Sequence, residues 1–187
     1  MAINAYAMFQ TYKQEYMASE SQVDLSKLPA NDISKPFINA GPGHVFEIED
    51  YSFDIQQTPN ISSASGGVGA GKVVFNPFSI TRASDKMSPL LFEMACAGTP
   101  FQTVWLGLSK AGSTPASSPM FMSFVFKLVA VKSIVFAYDP EKAKETVTFE
   151  YGGLQTRYVP QSLTSAVIGG WNQVRNVSDS GDLPIPA

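Results

Sequence analysis

The sequence predicts a mainly β protein: an antiparallel β-barrel of two packed sheets with one flanking α-helix, in a single domain over residues 1–178. Three observations predict it. Thirteen Phe, seven Tyr and many Val fall in short runs, and aromatic and β-branched residues favour strands. Several of these runs alternate apolar and polar residues and are separated by Gly, Pro, Ser and Asp clusters, the mark of strands joined by turns. A single segment carries convincing helical spacing.

The first strand is read from Ile3, Ala5, Ala7 and Phe9, which alternate with Asn4, Met8 and Gln10. Residues 19–43 then lose all periodicity and hold three prolines, so they read as a long inserted loop. In "HVFEIEDYSFDIQQ", Phe46 and Ile48 share one face, whereas Tyr51, Phe53 and Ile55 have the opposite parity. A bulge or sharp bend near Asp50 reconciles the two sets. A glycine-rich loop leads into a strand over 73–82, which Pro77 interrupts. The helix is "SPLLFEMACAG". Ser88 can cap it and Pro89 suits its first turn. Met87, Leu90, Leu91, Met94 and Ala95 make its apolar stripe, and Gly98 can end it. Three strands follow, "PFQTVWLGLSK", "MFMSFVFKLVAVKSIVFAY" and "ETVTFEYGGLQTRYV", with "AGSTPASSP" and "DPEKAKE" as turns. The tail from Asp179 reads as disordered.

Some strands are apolar on both faces. Met122, Phe124 and Phe126 point one way, and Phe121, Val125 and Val129 the other. One barrel has one interior, so the second face is expected to pack on the helix or on another subunit. Charged residues make up 16% of the chain, against about 25% in an average soluble domain, which also points to a surface covered by partners. The net charge of −3 and the lack of a Lys/Arg cluster argue against nucleic-acid binding. No apolar run reaches about 18 residues, so no membrane span is expected. The N-terminal run has no basic start and no unbroken apolar stretch, so no secretory signal is expected.

"GGVGAGK" at 66–72 fits G-x-x-x-x-G-K. A phosphate-binding loop needs Ser or Thr after the lysine to hold Mg²⁺, and it must open a helix. Here Val73 follows Lys72 and a strand follows the loop, so a flexible glycine connection is the better reading. A nucleotide-binding protein is the alternative from another class. No catalytic, metal or cofactor site is predicted. His44 is the single histidine and Cys96 the single cysteine. The first reads as a loop residue beside Gly43, the second as a buried thiol beside the helix stripe. Glu47 and Glu49 share a strand face with Asp50 and Asp54 nearby. Paired carboxylates can cleave glycosides, but acidic residues alternating with Phe46 and Ile48 are ordinary for a half-exposed strand.

The stretch "GGVGAGKVVFNPFSITRASDKMSPLLFEMACAG" resembles the central signature of the hemolysin-coregulated protein (Hcp) family, the inner-tube proteins of bacterial type VI secretion. The matching features are Gly71-Lys72-Val73, Phe78-Ser79-Ile80-Thr81, Asp85-Lys86-Met87-Ser88-Pro89 and Ala95-Cys96. Tyr51-Ser52-Phe53, Tyr158-Val159-Pro160-Gln161 and Gly170-Trp171-Asn172 resemble further family steps. The insertion over 19–43 is longer than the family's usual loop. The resemblance implies a homo-hexameric ring, rings stacked into a tube, and partners comprising a contractile sheath, a spike protein and effector proteins carried in the lumen. It implies assembly in the bacterial cytoplasm and then secretion. Ser52, Asp54 and Gln56 have polar side chains opposite the core parity, and the resemblance puts their strand on the lumen wall. It puts Gly66, Gly67, Gly69 and Gly71 in a loop that touches a neighbouring subunit or ring. A monomeric β-sandwich that binds a small ligand is the remaining alternative.

Overall fold

Alternation at a period of two sets the strands, and the computed structural model arranges them without a parallel pair among its described residues, which are 2–58, 60–61, 68–69, 73–111, 119–160 and 165–179. In chain order the elements are β1 (Ile3–Gln10), α1 (Lys35–Ala40), β2 (Phe46–Ile48), β3 (Asp50–Ser52), β4 (Ile55–Gln57), β5 (Asn60–Ile61), β6 (Val68–Gly69), β7 (Val73–Phe75), β8 (Phe78–Ala83), α2 (Ser88–Ala97), β9 (Phe101–Lys110), β10 (Met120–Ala137), β11 (Lys144–Tyr158), β12 (Val167–Asn172) and β13 (Val177–Ser178). The main sheet runs β13-β12-β11-β10-β9-β1-β2, with β8 also on β11 and β3 on β8. Its β2 end and the β8-β3 branch meet in one bent segment: β2 pairs with β1 and β3 with β8, and the Glu49 N–H donates to the Thr81 carbonyl at 2.9 Å. The main-chain ladder is therefore interrupted at Glu49 rather than closed by one continuous strand. This is the bend predicted near Asp50, because Phe46, Ile48, Tyr51 and Phe53 all pack against the same core.

That core is aromatic. Phe78 stacks on Phe126 at 4.1 Å with planes 12° apart, and Phe53 meets Phe124 and Phe126 edge-on. Phe9, Phe101 and Phe149 complete the packing, each fully buried. Three adjacent strands reverse their inside–outside order at the same level. The core takes Phe101 then Val104 from β9, Phe126 then Val129 from β10, and Tyr151 then Leu154 from β11. Lys127 still pairs with Gly153 and Thr103, and Val129 with Tyr151 and Phe101, so the reversal lies between these rungs. Leu128 sits there at φ 51°, a conformation costly for a branched side chain. Its side chain lies outside, over Gly152, where an added Cβ would come within 3.0 Å of it. Val129 therefore points inward and Phe121 also packs against this core, so of Phe121, Val125 and Val129 two depart from the outward face that simple alternation predicts.

The insertion is ordered, contrary to expectation. It holds α1, so the described residues include two helices rather than the one expected. Leu25, Leu28, Ile33 and Phe37 are buried with Tyr6, Met8, Met120 and Val159 in a second apolar cluster. The second apolar face of β1 is thus covered by the chain's own insertion. Asn31 fixes the loop: its Nδ2 donates to the Met120 carbonyl at 2.8 Å, and its Oδ1 accepts from the N–H groups of Ile33 and Ser34. Phe37 lies against Gly107, where a Cβ would meet its ring at 2.8 Å.

Other expectations change at single residues. Ser88 is the first residue of α2 rather than its cap. Asp85 takes the capping role, with Oδ1 accepting from the Met87 N–H at 2.8 Å. Met87 and Leu91 are buried and Met94 packs on the core, but Leu90 is exposed. Cys96 is exposed, not a buried thiol. Gly98 ends the helix at φ 65°, as predicted. Ile55 is 47% exposed, so the inward parity stops at Phe53. Part of the polar run before the glycines is a strand, since Asn60 pairs with Gly69 and Ile61 with Val68. Asp179, expected in a disordered tail, is buried and donates its N–H to the Gly170 carbonyl at 2.9 Å. Residues 180–187 lie outside the described residues.

Candidate functional site

Where β3, β8, β11 and the far half of β10 run side by side, one face supplies the core through Tyr51, Ile80, Val147 and Ile134. The opposite face is built of hydroxyls in register. Ser52 stands opposite Ser79, Ser79 opposite Thr148, and Thr148 opposite Ser133. The next rung aligns Asp50, Thr81, Thr146 and Val135. The Ser52 and Ser79 oxygens are 2.8 Å apart, and those of Thr81 and Thr146 are 2.9 Å apart. Each hydroxyl can donate once and accept twice, so the wall keeps free hydrogen-bonding capacity after pairing. It is polar, carries little charge and has no large side chain except Val135.

The residues singled out from the sequence fall into two groups. Ser52 belongs to the hydroxyl wall. Asp54 and Gln56 lie further on, beside a separate two-stranded arm in which Ile55 pairs with Phe75 and Gln57 with Val73. The Asp54 carboxylate accepts from Gln56 Nε2 at 2.9 Å and from Asn76 Nδ2 at 2.7 Å. Beyond this arm, Gly69 lies in β6, whereas Gly66, Gly67, Gly71 and Lys72 fall outside the described residues. Ser79, Thr81, Ser133, Thr146 and Thr148 were not singled out. For all but Ser133 the signal was the alternation in "FSITRA" and "ETVTFE", where Ser79 and Thr81, and Thr146 and Thr148, sit two residues apart.

The carboxylates are not arranged for acid–base chemistry. A cleft of about 340 Å³ lies between residues 19–21, β2 and the end of β8, lined by Glu47, Glu49, Asp85, Arg82 and Lys142 among others. Glu47 accepts from the Ser21 hydroxyl at 2.9 Å. Glu49 is held by Lys142 and, at 3.2 Å, by Lys144. The hydrogen bond from Lys142 holds its carboxyl below the usual range, with Lys144 adding to the effect. A general acid needs the opposite shift. Asp85 and Glu145 both engage Arg82, at 2.9 and 2.6 Å. His44 Nδ1 lies 3.3 Å from the Met17 carbonyl, and its ring packs near Tyr16, so it ties two loops together. Among the described residues, no three His, Cys, Asp or Glu side chains are grouped to hold a metal ion. No described helix is long and apolar enough to cross a membrane.

Residues 39–158 match the family described as type VI secretion system effector, Hcp. The chain belongs to the Hcp family. No curated protein sequence matches it, so its relatives are recognised by family pattern and by shape. Hcp1 from Salmonella typhimurium is 18% identical with a TM-score of 0.68, covering 96% of this chain and 100% of its own. A solved type six secretion system protein is 21% identical with a TM-score of 0.70, covering 95% and 100%. Secreted protein Hcp3 from Pseudomonas aeruginosa is 17% identical with a TM-score of 0.60, covering 91% and 98%. At these identities the likeness is one of fold, and it holds over nearly the whole length of those Hcp chains. The antiparallel, mainly β class predicted from the sequence is thus the Hcp fold.

Proposed function

We propose that this Hcp protein is a structural tube subunit, not an enzyme: six copies form a ring, rings stack into the injected inner tube of a type VI secretion system, and effector proteins travel in the lumen. The family match over residues 39–158 carries this reading. Residues 1–178 act as one domain, and the assembled tube leaves the bacterial cytoplasm with its spike when the sheath contracts. Large apolar side chains exposed on the single chain support burial between copies, among them Phe92, Phe136 and Tyr138. Sedimentation at micromolar concentration should show a species about six times the 20.2 kDa chain mass. A single-chain species alone would defeat the ring.

The hydroxyl wall with Ser52 faces the lumen in this reading, and Asp54 and Gln56 extend it. Hydroxyls and amides give passing proteins hydrogen bonds without an adhesive apolar patch. In a Cys96→Ser background, Ser52→Cys in assembled tubes should react with a small thiol reagent and resist one wider than the pore. Equal rates would remove Ser52 from the inner wall. In this reading the glycine loop that holds Gly66, Gly67, Gly69 and Gly71 reaches a neighbouring subunit or ring. Gly67→Pro with Gly69→Pro should shorten tubes and leave the sheet folded, and tubes of normal length would contradict this.

A further inference from the structure

The hydroxyl wall is bounded by charges, and they are not all alike. Val147 and Phe149 of β11 enter the core, so Lys144, Thr146, Thr148 and Glu150 alternate on the wall side. The two charges of this row are paired within the chain. Lys144 Nζ lies 2.8 Å from the Asp139 carboxylate and 3.2 Å from that of Glu49. Glu150 lies 2.6 Å from Nζ of Lys132, which stands at the register shift of β10. Asp50 and Asp54 differ. Asp50 is in register with Thr81, and its carboxylate accepts the Tyr51 N–H at 2.9 Å. Asp54 accepts from the side-chain amides of Gln56 and Asn76, which carry no charge. Among the described residues neither carboxylate has an ion-pair partner. Their field reaches the tyrosines beneath the wall. Burial raises the pKa of the Tyr51 and Tyr151 phenols, and Asp50 adds to the first shift as Asp54 does to the second.

We propose that the hydroxyl wall selects its cargo by charge: it takes effector proteins with a basic surface and turns away acidic ones. The proposal rests on the lumen reading above. The wall is the site, and Asp50 and Asp54 set which partner it prefers. The hydroxyls of Ser52, Ser79, Ser133 and Thr148 can donate and accept, so they bind polar groups of either kind without preference. Lys and Arg side chains gain charge-assisted hydrogen bonds at Asp50 and Asp54, whereas Asp and Glu meet like charge there. No cation of the wall offsets this, because Lys132 and Lys144 already face carboxylates of their own. Assembly strengthens the effect. Every copy adds the same carboxylates to one enclosed passage, and a concave surface lined by one sign of charge focuses the potential inside it. Cargo within the passage stays close to the wall on all sides, within reach of a field that free solution screens over about 8 Å at physiological salt.

The test uses assembled tubes and one probe protein in two charge states: cytochrome c, which is small and basic, and its succinylated form, which is acidic at nearly the same size. Tubes grown with each probe are pelleted, and haem absorbance measures what they retain. The basic form should be retained at least about tenfold better. Raising salt from about 0.01 to 0.15 M shortens the screening length from about 30 to 8 Å and should remove most of that difference. Asp50→Asn with Asp54→Asn should abolish the preference. Glu15→Gln with Asp24→Asn makes the same change in net charge in the segment after β1 and should leave the preference in place. Equal retention of the two forms by the parent, a preference indifferent to salt, or equal loss in both double variants would overturn the proposal. If the Asp50 and Asp54 variant does not assemble, the salt dependence of the parent decides the matter. Protection of Ser52→Cys from a wide reagent, measured on the same tubes, reports the inner wall independently of charge. Protection with equal retention of both forms would refute charge selection alone, and loss of protection would remove the lumen reading with it.

Discussion

Glu145→Ala tests whether the charges under α2 act as a unit. Arg82 is 2% exposed and Glu145 0%. The guanidinium bridges Glu145 at 2.6 Å and Asp85 at 2.9 Å, and its carbon lies 4.9 Å from the centre of the Phe46 ring. Removing one member of a buried pair costs about 3–5 kcal/mol, because the other charge is left dry. Here Arg82 keeps Asp85 and the ring face, and a desolvated cation–π contact is worth about 2 kcal/mol. Glu145→Ala should therefore fall at the low end, about 3 kcal/mol. Arg82→Met should cost more. It strands Glu145, whose Oε2 has no hydrogen-bond partner among the described residues, and it frees Asp85, which also caps α2. Replacing both charges, Arg82→Met with Glu145→Leu, should come within about 1 kcal/mol of the parent, since apolar replacements of buried pairs are often neutral. Urea unfolding of these proteins, with Glu145→Leu alone to close the cycle, gives the coupling energy. If Glu145→Ala costs less than about 1 kcal/mol, or if the double variant costs the sum of the singles, the pair is not the dry unit described here.

Phe37→Ala removes the centre of the second apolar cluster and should cost about 3–5 kcal/mol in unfolding. A cost below about 1 kcal/mol would mean that the insertion does not fold with the sheet. Burial pushes the Tyr151 phenol up to about 12 from its ordinary 10.0, with Asp54 and Glu150 adding to the shift. Its contribution is complete below pH 10.0 and is lost as pH rises toward about 12, up to roughly 3 kcal/mol. Tyr151→Phe should flatten that alkaline loss, and an unchanged curve would refute the assignment. At the other extreme, the hydrogen bond from Lys144 holds Asp139 below the usual carboxylate range, as that from Lys142 does Glu49. Their ties to the 138–143 turn persist above that range and are lost as pH falls below it. Protection of the turn amides, relative to their intrinsic exchange at each pH, should fall in acid, and unchanged protection down to about pH 2 would count against the tie.

The sequence made the strands legible wherever alternation was undisturbed, as in Ser79 to Arg82 or Thr146 to Phe149. The bend at Glu49 was legible because two apolar sets of opposite parity sit side by side. The reversal at Leu128 was not, because "MFMSFVFKLVAV" is apolar at nearly every position and offers no phase to lose. The insertion was misread because Leu25, Leu28, Ile33 and Phe37 follow no helix or strand period. Their spacing answers to the outer face of a strand far away in sequence. Cys96 and Leu90 were placed inward by a helical stripe wider than the contact α2 makes. Ser52 was found by parity, but the rest of the hydroxyl wall needed cross-strand register, which no single strand encodes.

The reversal shared by β9, β10 and β11 makes the corner a property of three strands at once. A deletion of Leu128 alone would restore ordinary alternation in β10 and leave its neighbours shifted by one step. With the neighbours' corner unchanged, the sheet would then have to turn Val129 and Val131 out of the aromatic core or slip Phe126 out of it and Val125 in. Length changes here would be accepted only as matched sets, one residue from each strand. In a family that keeps its shape at identities as low as 17–21%, such a corner would hold chain length fixed while side chains drift.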